Sequence, residues 1–182
     1  MNAHSVFSKL LLAAFVLLCG ETFWISQAHA AAEICVSTSQ ELQDALDSAS
    51  DGGANSGMLV NVFLVTGTYK IGTATSNGPF KFHSTSATSD IILTGGYDAT
   101  CKTLTYKAAD TILDGGGTSQ VLNLVSQNGA VSVFDLTIQN GNSDQQGGGL
   151  SINNAQNAGT DVAINNCIVR NNHSSANGGG VV

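Results

Sequence analysis

Residues 131–151, VSVFDLTIQNGNSDQQGGGLS, align without a gap on residues 162–182, VAINNCIVRNNHSSANGGGVV, at a constant offset of 31. Six of the 21 positions are identical: Val131/Val162, Asn140/Asn171, Ser143/Ser174 and the triplets Gly147-Gly148-Gly149 and Gly178-Gly179-Gly180. Average residue usage predicts about one or two. Four further pairs, Val133/Ile164, Leu136/Cys167, Ile138/Val169 and Leu150/Val181, keep their apolar character. A fixed period between ~20 and ~50 residues marks an array of stacked units.

The pattern inside the unit selects the kind of array. Val131 and Val133 alternate with polar neighbours, two residues intervene, and Leu136 and Ile138 resume the alternation. Alternation is a strand signal, because successive side chains point to opposite faces. The two-residue slip keeps both strands facing one interior while the chain turns. Asn140 and Asn171 follow at the next bend, where Asn tolerates a left-handed backbone. The glycine triplets mark a third corner. Helical arrays are excluded, since no 3.6-residue period occurs and Ala, Glu, Lys and Leu do not dominate. Leucine-rich repeats place two residues between their last apolar position and Asn; here there is one. The expected fold is an all-β solenoid, a right-handed parallel β-helix.

Earlier segments fit less tidily. QVLNLV (120–125) and IILT (91–94) are short apolar runs beside glycine turns, and LVNVFLVTGTY (59–69) reads as the first substantial strand region. Ahead of them Thr38 and Glu41 form a capping box. Leu42, Ala45, Leu46 and Ala49 then line one helical face, and Asp51-Gly52-Gly53 ends the helix. This short helix is expected to cover the open end of the solenoid, which would otherwise expose apolar side chains and unpaired backbone. The expected organisation is a signal over 1–30, an N-terminal segment with a capping helix over 31–53, and strand coils over 54–182. The chain stops at Val181-Val182 as a new apolar strand begins, so a truncated solenoid is expected. Its uncapped last coil is then expected to self-associate.

The N-terminus reads as an export signal. Lys9 precedes the apolar run 10–18, and Ala28-His29-Ala30 offers small residues for cleavage after Ala30. The run is too short to span a bilayer, which takes ~20 apolar residues; no later segment is apolar enough either. A lipoprotein reading through Cys19 is weaker, because bulky Leu18 precedes it. Cleavage removes Lys9 and Glu21, one charge of each sign, and leaves the net charge at −7. So acidic a chain has no phosphate-binding footprint, and nucleic acid is disfavoured as a partner. Three cysteines remain, and an oxidising compartment favours one pair. Cys35 with Cys101 is the favoured disulfide, because both lie outside the clear repeat. Cys167 fills an apolar slot and is expected to be reduced and buried.

The runs ELQDALDSAS, LVTGTY, GGYDATC and TILDGGG resemble the start of bacterial right-handed β-helix proteins of the pectin-lyase-like superfamily. The GGG-hydrophobic and INNCIVRNN elements resemble repeats of polymorphic outer-membrane and autotransporter-like surface proteins. The resemblance covers roughly residues 34–182. It implies a fold more than an activity, since that coil serves lyases, hydrolases and adhesins alike.

No catalytic, cofactor-binding or metal-ligating constellation stands out. A calcium-dependent lyase needs six to eight oxygens around its ion, whereas Asp90, Asp98, Asp110, Asp114, Asp135, Asp144 and Asp161 are scattered and read as turn caps. Asp110 and Asp114 are the acids that could meet Asp135 on neighbouring coils. A glycoside hydrolase needs two carboxylates across its bond. His83 and His173 have no acid or nucleophile near them in sequence and read as surface-loop residues. Arg170 is expected to project outward from a strand. The expectation is an exported, non-catalytic β-helix, extracellular, at the cell surface or in the periplasm, whose polar faces bind polysaccharide or cell-surface glycan. The alternative is the inert N-terminal part of a polysaccharide lyase or glycoside hydrolase.

Overall fold

The alternation in the repeat becomes paired strands in the computed structural model, which describes residues 31–72, 78–154 and 161–182. The expected export signal over residues 1–30 lies outside the described residues. Three parallel sheets carry the chain. The first contains β1 (Ala32–Val36), β2 (Leu59–Val65), β5 (Asp90–Tyr97), β8 (Val131–Phe134) and β12 (Val162–Asn165), paired in that order. The second runs β3 (Gly67–Lys70), β6 (Thr111–Asp114), β9 (Thr137–Gln139), β13 (Ile168–Arg170). The third runs β4 (Phe80–Ser84), β7 (Leu122–Ser126), β11 (Leu150–Asn154). A two-stranded ribbon pairs β10 (Asn142–Ser143) with β14 (His173–Ser174). From β2 onward the chain visits the first, second and third sheets in turn and then returns to the first.

Register follows the repeat. Val162 pairs with Val131, Ile164 with Val133 and Val169 with Ile138. The inward columns continue through the older strands as Val60–Ile91–Val131–Val162 and Val62–Leu93–Val133–Ile164. On the second sheet the column is Tyr69–Leu113–Ile138–Val169. On the third it is Phe80–Leu122–Leu150–Val181, beside Phe82–Leu124–Ile152. Most members of these columns are fully buried and form one core. Each such side chain contributes roughly 1.5–3 kcal/mol on removal from water. The last members are different: β12 is an edge strand, and Val162 and Ile164 are 47% and 40% exposed.

The helix α1 spans Ser39–Ala49 and begins with the capping box anticipated at Thr38 and Glu41. It closes the opposite end by standing in for strand backbone. Lys81 N–H donates to Gln43 Oε1 at 3.0 Å, and Gln43 Nε2 donates to Lys81 C=O at 3.1 Å. Ser39 Oγ accepts from Lys70 N–H and Ser50 Oγ from His83 N–H. Asp51 accepts from the backbone of Thr85, Ser86 and Ala87. These bonds, first that from the Thr85 N–H, hold the Asp51 carboxyl well below the usual carboxylate range.

The strands β1, β4, β6, β10 and β14 were not named from the sequence, and β1 and β4 are the longest of them. AEICV and FKFHS are only five residues each. Their apolar positions are too few to stand out before their pairing partners are known.

Candidate functional site

The corners set the outer surface. Asp135 and Asn166, 31 residues apart, both take a left-handed backbone (φ 55° and 50°), as do Asn140 and Asn171 (φ 53° and 55°). Gly147 and Gly178 do the same at the third corner, with φ of 69° and 66°. Short polar side chains are the L-residues that enter this region most readily. Asn172 ties the last two rounds together: its Nδ2 donates to Ile138 C=O at 2.9 Å and its Oδ1 accepts from Gly141 N–H at 2.7 Å.

Beside the third sheet these corners border an open groove of about 840 Å³. Its floor is the outward column Lys81–Asn123–Ser151 of β4, β7 and β11. Residues 118–120 and the segment from Asn142 to Gln146 make its wall, with His173 and Ser175 at one end. The wall is stiffened by its own hydrogen bonds. Gln120 Nε2 donates to the carbonyls of Gln146 and Gly147, Asn123 Nδ2 to Gln120 Oε1, and Asn142 Nδ2 to Gly117 C=O. Ser119, Ser143 and Ser151 also line the groove. Among the described residues, the side chains of Lys81, Asp144 and His173 have neither a hydrogen bond nor an ion pair.

The structure thus brings together Asp144 and His173, which the sequence separates by 29 residues. Neither histidine is a loop residue: His83 lies on β4 and His173 on β14, both exposed. The repeat offset contained the missing signal, because it sets His173 above Asn142.

On the second sheet an outward column of Lys70, Asp114, Gln139 and Arg170 forms a polar ladder. Arg170 Nε donates to Gln139 Oε1 at 2.9 Å, and Gln139 Nε2 donates to Asp114 Oδ2 at 2.8 Å. Burial opposes ionisation of Asp114. Hydrogen bonds from Gln139, Gly116 N–H and Asn140, with the Lys70 charge, outweigh it and hold the carboxyl below its ordinary range. Asp135 is 7% exposed and accepts a short hydrogen bond from Asn166 Nδ2. Asp110 is exposed on a 3₁₀ turn (Ala108–Asp110). Among the described residues no three His, Cys, Asp or Glu side chains gather closely enough to hold a metal.

Cys35 and Cys101 are joined, with Cα atoms 5.9 Å apart. The bond fastens the loop after β5 to β1. Cys167 is free but only half-buried, because it sits between β12 and β13, the edge strands of their sheets among the described residues. Burial is the chief cause pushing its thiol above the ordinary value. No helix among the described residues is long and apolar enough to cross a membrane.

No protein-family model, curated protein or solved structure matches the chain.

Proposed function

We propose that this chain is an exported, non-catalytic right-handed parallel β-helix that binds a polysaccharide or cell-surface glycan along the groove beside its third sheet. The cyclic visits to three parallel sheets support the β-helix reading. A parallel crossover within one sheet is right-handed in about 98% of cases, which supports the hand. The small-residue site at Ala28 and Ala30 supports export, and the runs LVTGTY and TILDGGG support kinship with the pectin-lyase-like superfamily.

The groove carries the functional reading. Its floor repeats once per strand spacing, about 4.8 Å, and offers Lys81, Asn123 and Ser151 in succession. A polymer of hydroxyl-bearing rings laid across the strands meets a fresh donor or acceptor at each step. Its wall needs little ordering on binding, because Gln120, Asn123 and Asn142 are already held, and preorganisation lowers the cost of association.

Calorimetric titration with cellohexaose and with a galacturonate hexamer tests the reading. Binding of either that falls roughly tenfold, about 1.4 kcal/mol, in Asn123→Ala and Ser151→Ala supports it. Full-strength binding in both variants would overturn it.

The lyase or hydrolase reading has one observation in its favour, the unpaired Lys81, Asp144 and His173 sharing the groove. It requires release of unsaturated uronides or new reducing ends from a glycan polymer. The non-catalytic reading expects neither.

A further inference from the structure

The aromatic residues outside the core gather on one side of the molecule. Among the described residues, Tyr69, Phe80 and Phe82 are buried, whereas Phe63, Tyr97, Tyr106 and Phe134 face outward. Phe63 and Phe134 share an outward column of the first sheet with Thr94 between them. The rings of Phe63 and Tyr97 lie 4.7 Å apart and are inclined by 36°. Tyr106 stands beside them and is 70% exposed, the most exposed large apolar side chain among the described residues.

Tyr106 is held in this position at a conformational cost. Its φ is 56°, a left-handed backbone that a bulky residue rarely adopts. The loop is pinned around it. Thr105 N–H and Oγ both donate to Gly96 C=O, Asn166 Nδ2 donates to Tyr106 C=O at 3.1 Å, and the Cys35–Cys101 bond anchors the loop's start. Strain maintained by the surroundings at an exposed ring points to a use for that ring.

We propose that Tyr106, with Tyr97 and Phe63 behind it, is an aromatic platform on which one pyranose ring of a glycan stacks, at a site separate from the groove. The inference rests on the glycan reading for its ligand class. The negative face of an aromatic ring attracts the C–H groups of a sugar face. Burial chiefly, with the neighbouring Tyr106, Glu33 and Asp135, raises the Tyr97 phenol above its ordinary value. A protein partner would call for a broad apolar patch. Here a single exposed ring is flanked by exposed Lys102, Thr103 and Lys107, which suits a small amphipathic ring.

The test is a titration of the full chain with cellohexaose, followed by NMR of the aromatic side chains and backbone amides, with Tyr106→Ala and Tyr106→Phe in parallel. The platform predicts ring-current shifts at Tyr106 and Tyr97. It also predicts roughly tenfold weaker binding at that site in Tyr106→Ala and near-native binding in Tyr106→Phe. Groove amides that shift while Tyr106 and Tyr97 stay still would overturn the platform and leave the glycan reading intact. No shift anywhere in the chain would overturn both.

Discussion

Gly95 lies in β5, just past its last pairing with β8 at Thr94 and Phe134, and its neighbours leave no room for a side chain. A Cβ placed there would sit 2.3 Å from the Asp135 carbonyl oxygen, 2.6 Å from Leu136 Cδ2 and 2.9 Å from Thr111 Cβ. The backbone of Gly95 is not left-handed, so conformation alone would permit alanine. The cost of Gly95→Ala is therefore a measure of how closely the Asp135 corner stacks on the end of β5. Overpacking costs about 1–3 kcal/mol where side chains can yield. A backbone oxygen yields less, so the expected loss is about 3 kcal/mol or more. In a chain of this size that lowers Tm by roughly 6–12 °C. Gly117→Ala is the comparison. Nothing lies within 4 Å of its Cβ, but its φ is +74°, so its loss is the left-handed penalty of about 1–2 kcal/mol. Urea unfolding followed by circular dichroism reads both. A Gly95→Ala variant within 0.5 kcal/mol of the parent would show that the Asp135 corner does not pack on β5 as described.

Replacing Cys35 and Cys101 by Ser opens a 66-residue separation; about 4 kcal/mol of stability is expected to go, read as a shift of the urea midpoint. Acid should destabilise the fold. The Asp98 carboxyl, held chiefly by the Lys102 N–H, is pulled down to about 2. Its depressed folded value means that its contribution is present above the ordinary Asp range and is lost as pH falls from about 4 towards 2. Tm measured across that range should fall less steeply in Asp98→Asn. The exposed edge of β12 should template association between chains, so light scattering should show growth with concentration that Val162→Lys with Ile164→Lys suppresses.

Much of the strand architecture was legible because one repeat shows its period without a gap. The pairs Val131/Val162 and Val133/Ile164 are read directly from the 31-residue offset, and the structure stacks them in that register. The Thr38–Glu41 capping box located α1 because capping is a local interaction. The disulfide was legible by position, since both cysteines lie outside the repeat. The groove was not. Asp144 and His173 line one groove only when two rounds stack, and Lys81 lines it from a strand too short to be seen alone. Asp135 looked like a possible cation ligand, yet its repeat partner is Asn166, and both serve the same left-handed corner. Cys167 looked like a core residue because its slot is apolar, but an edge round buries only one side of its members.

The most direct measurement is an amide-shift map of the protein titrated with a glycan hexamer. The groove reading predicts that the largest backbone changes fall at Asn123, Ser151 and residues 142–146, three segments adjacent only when the third sheet is stacked as described. Saturable shifts confined to other surfaces, with these amides unmoved, would contradict it.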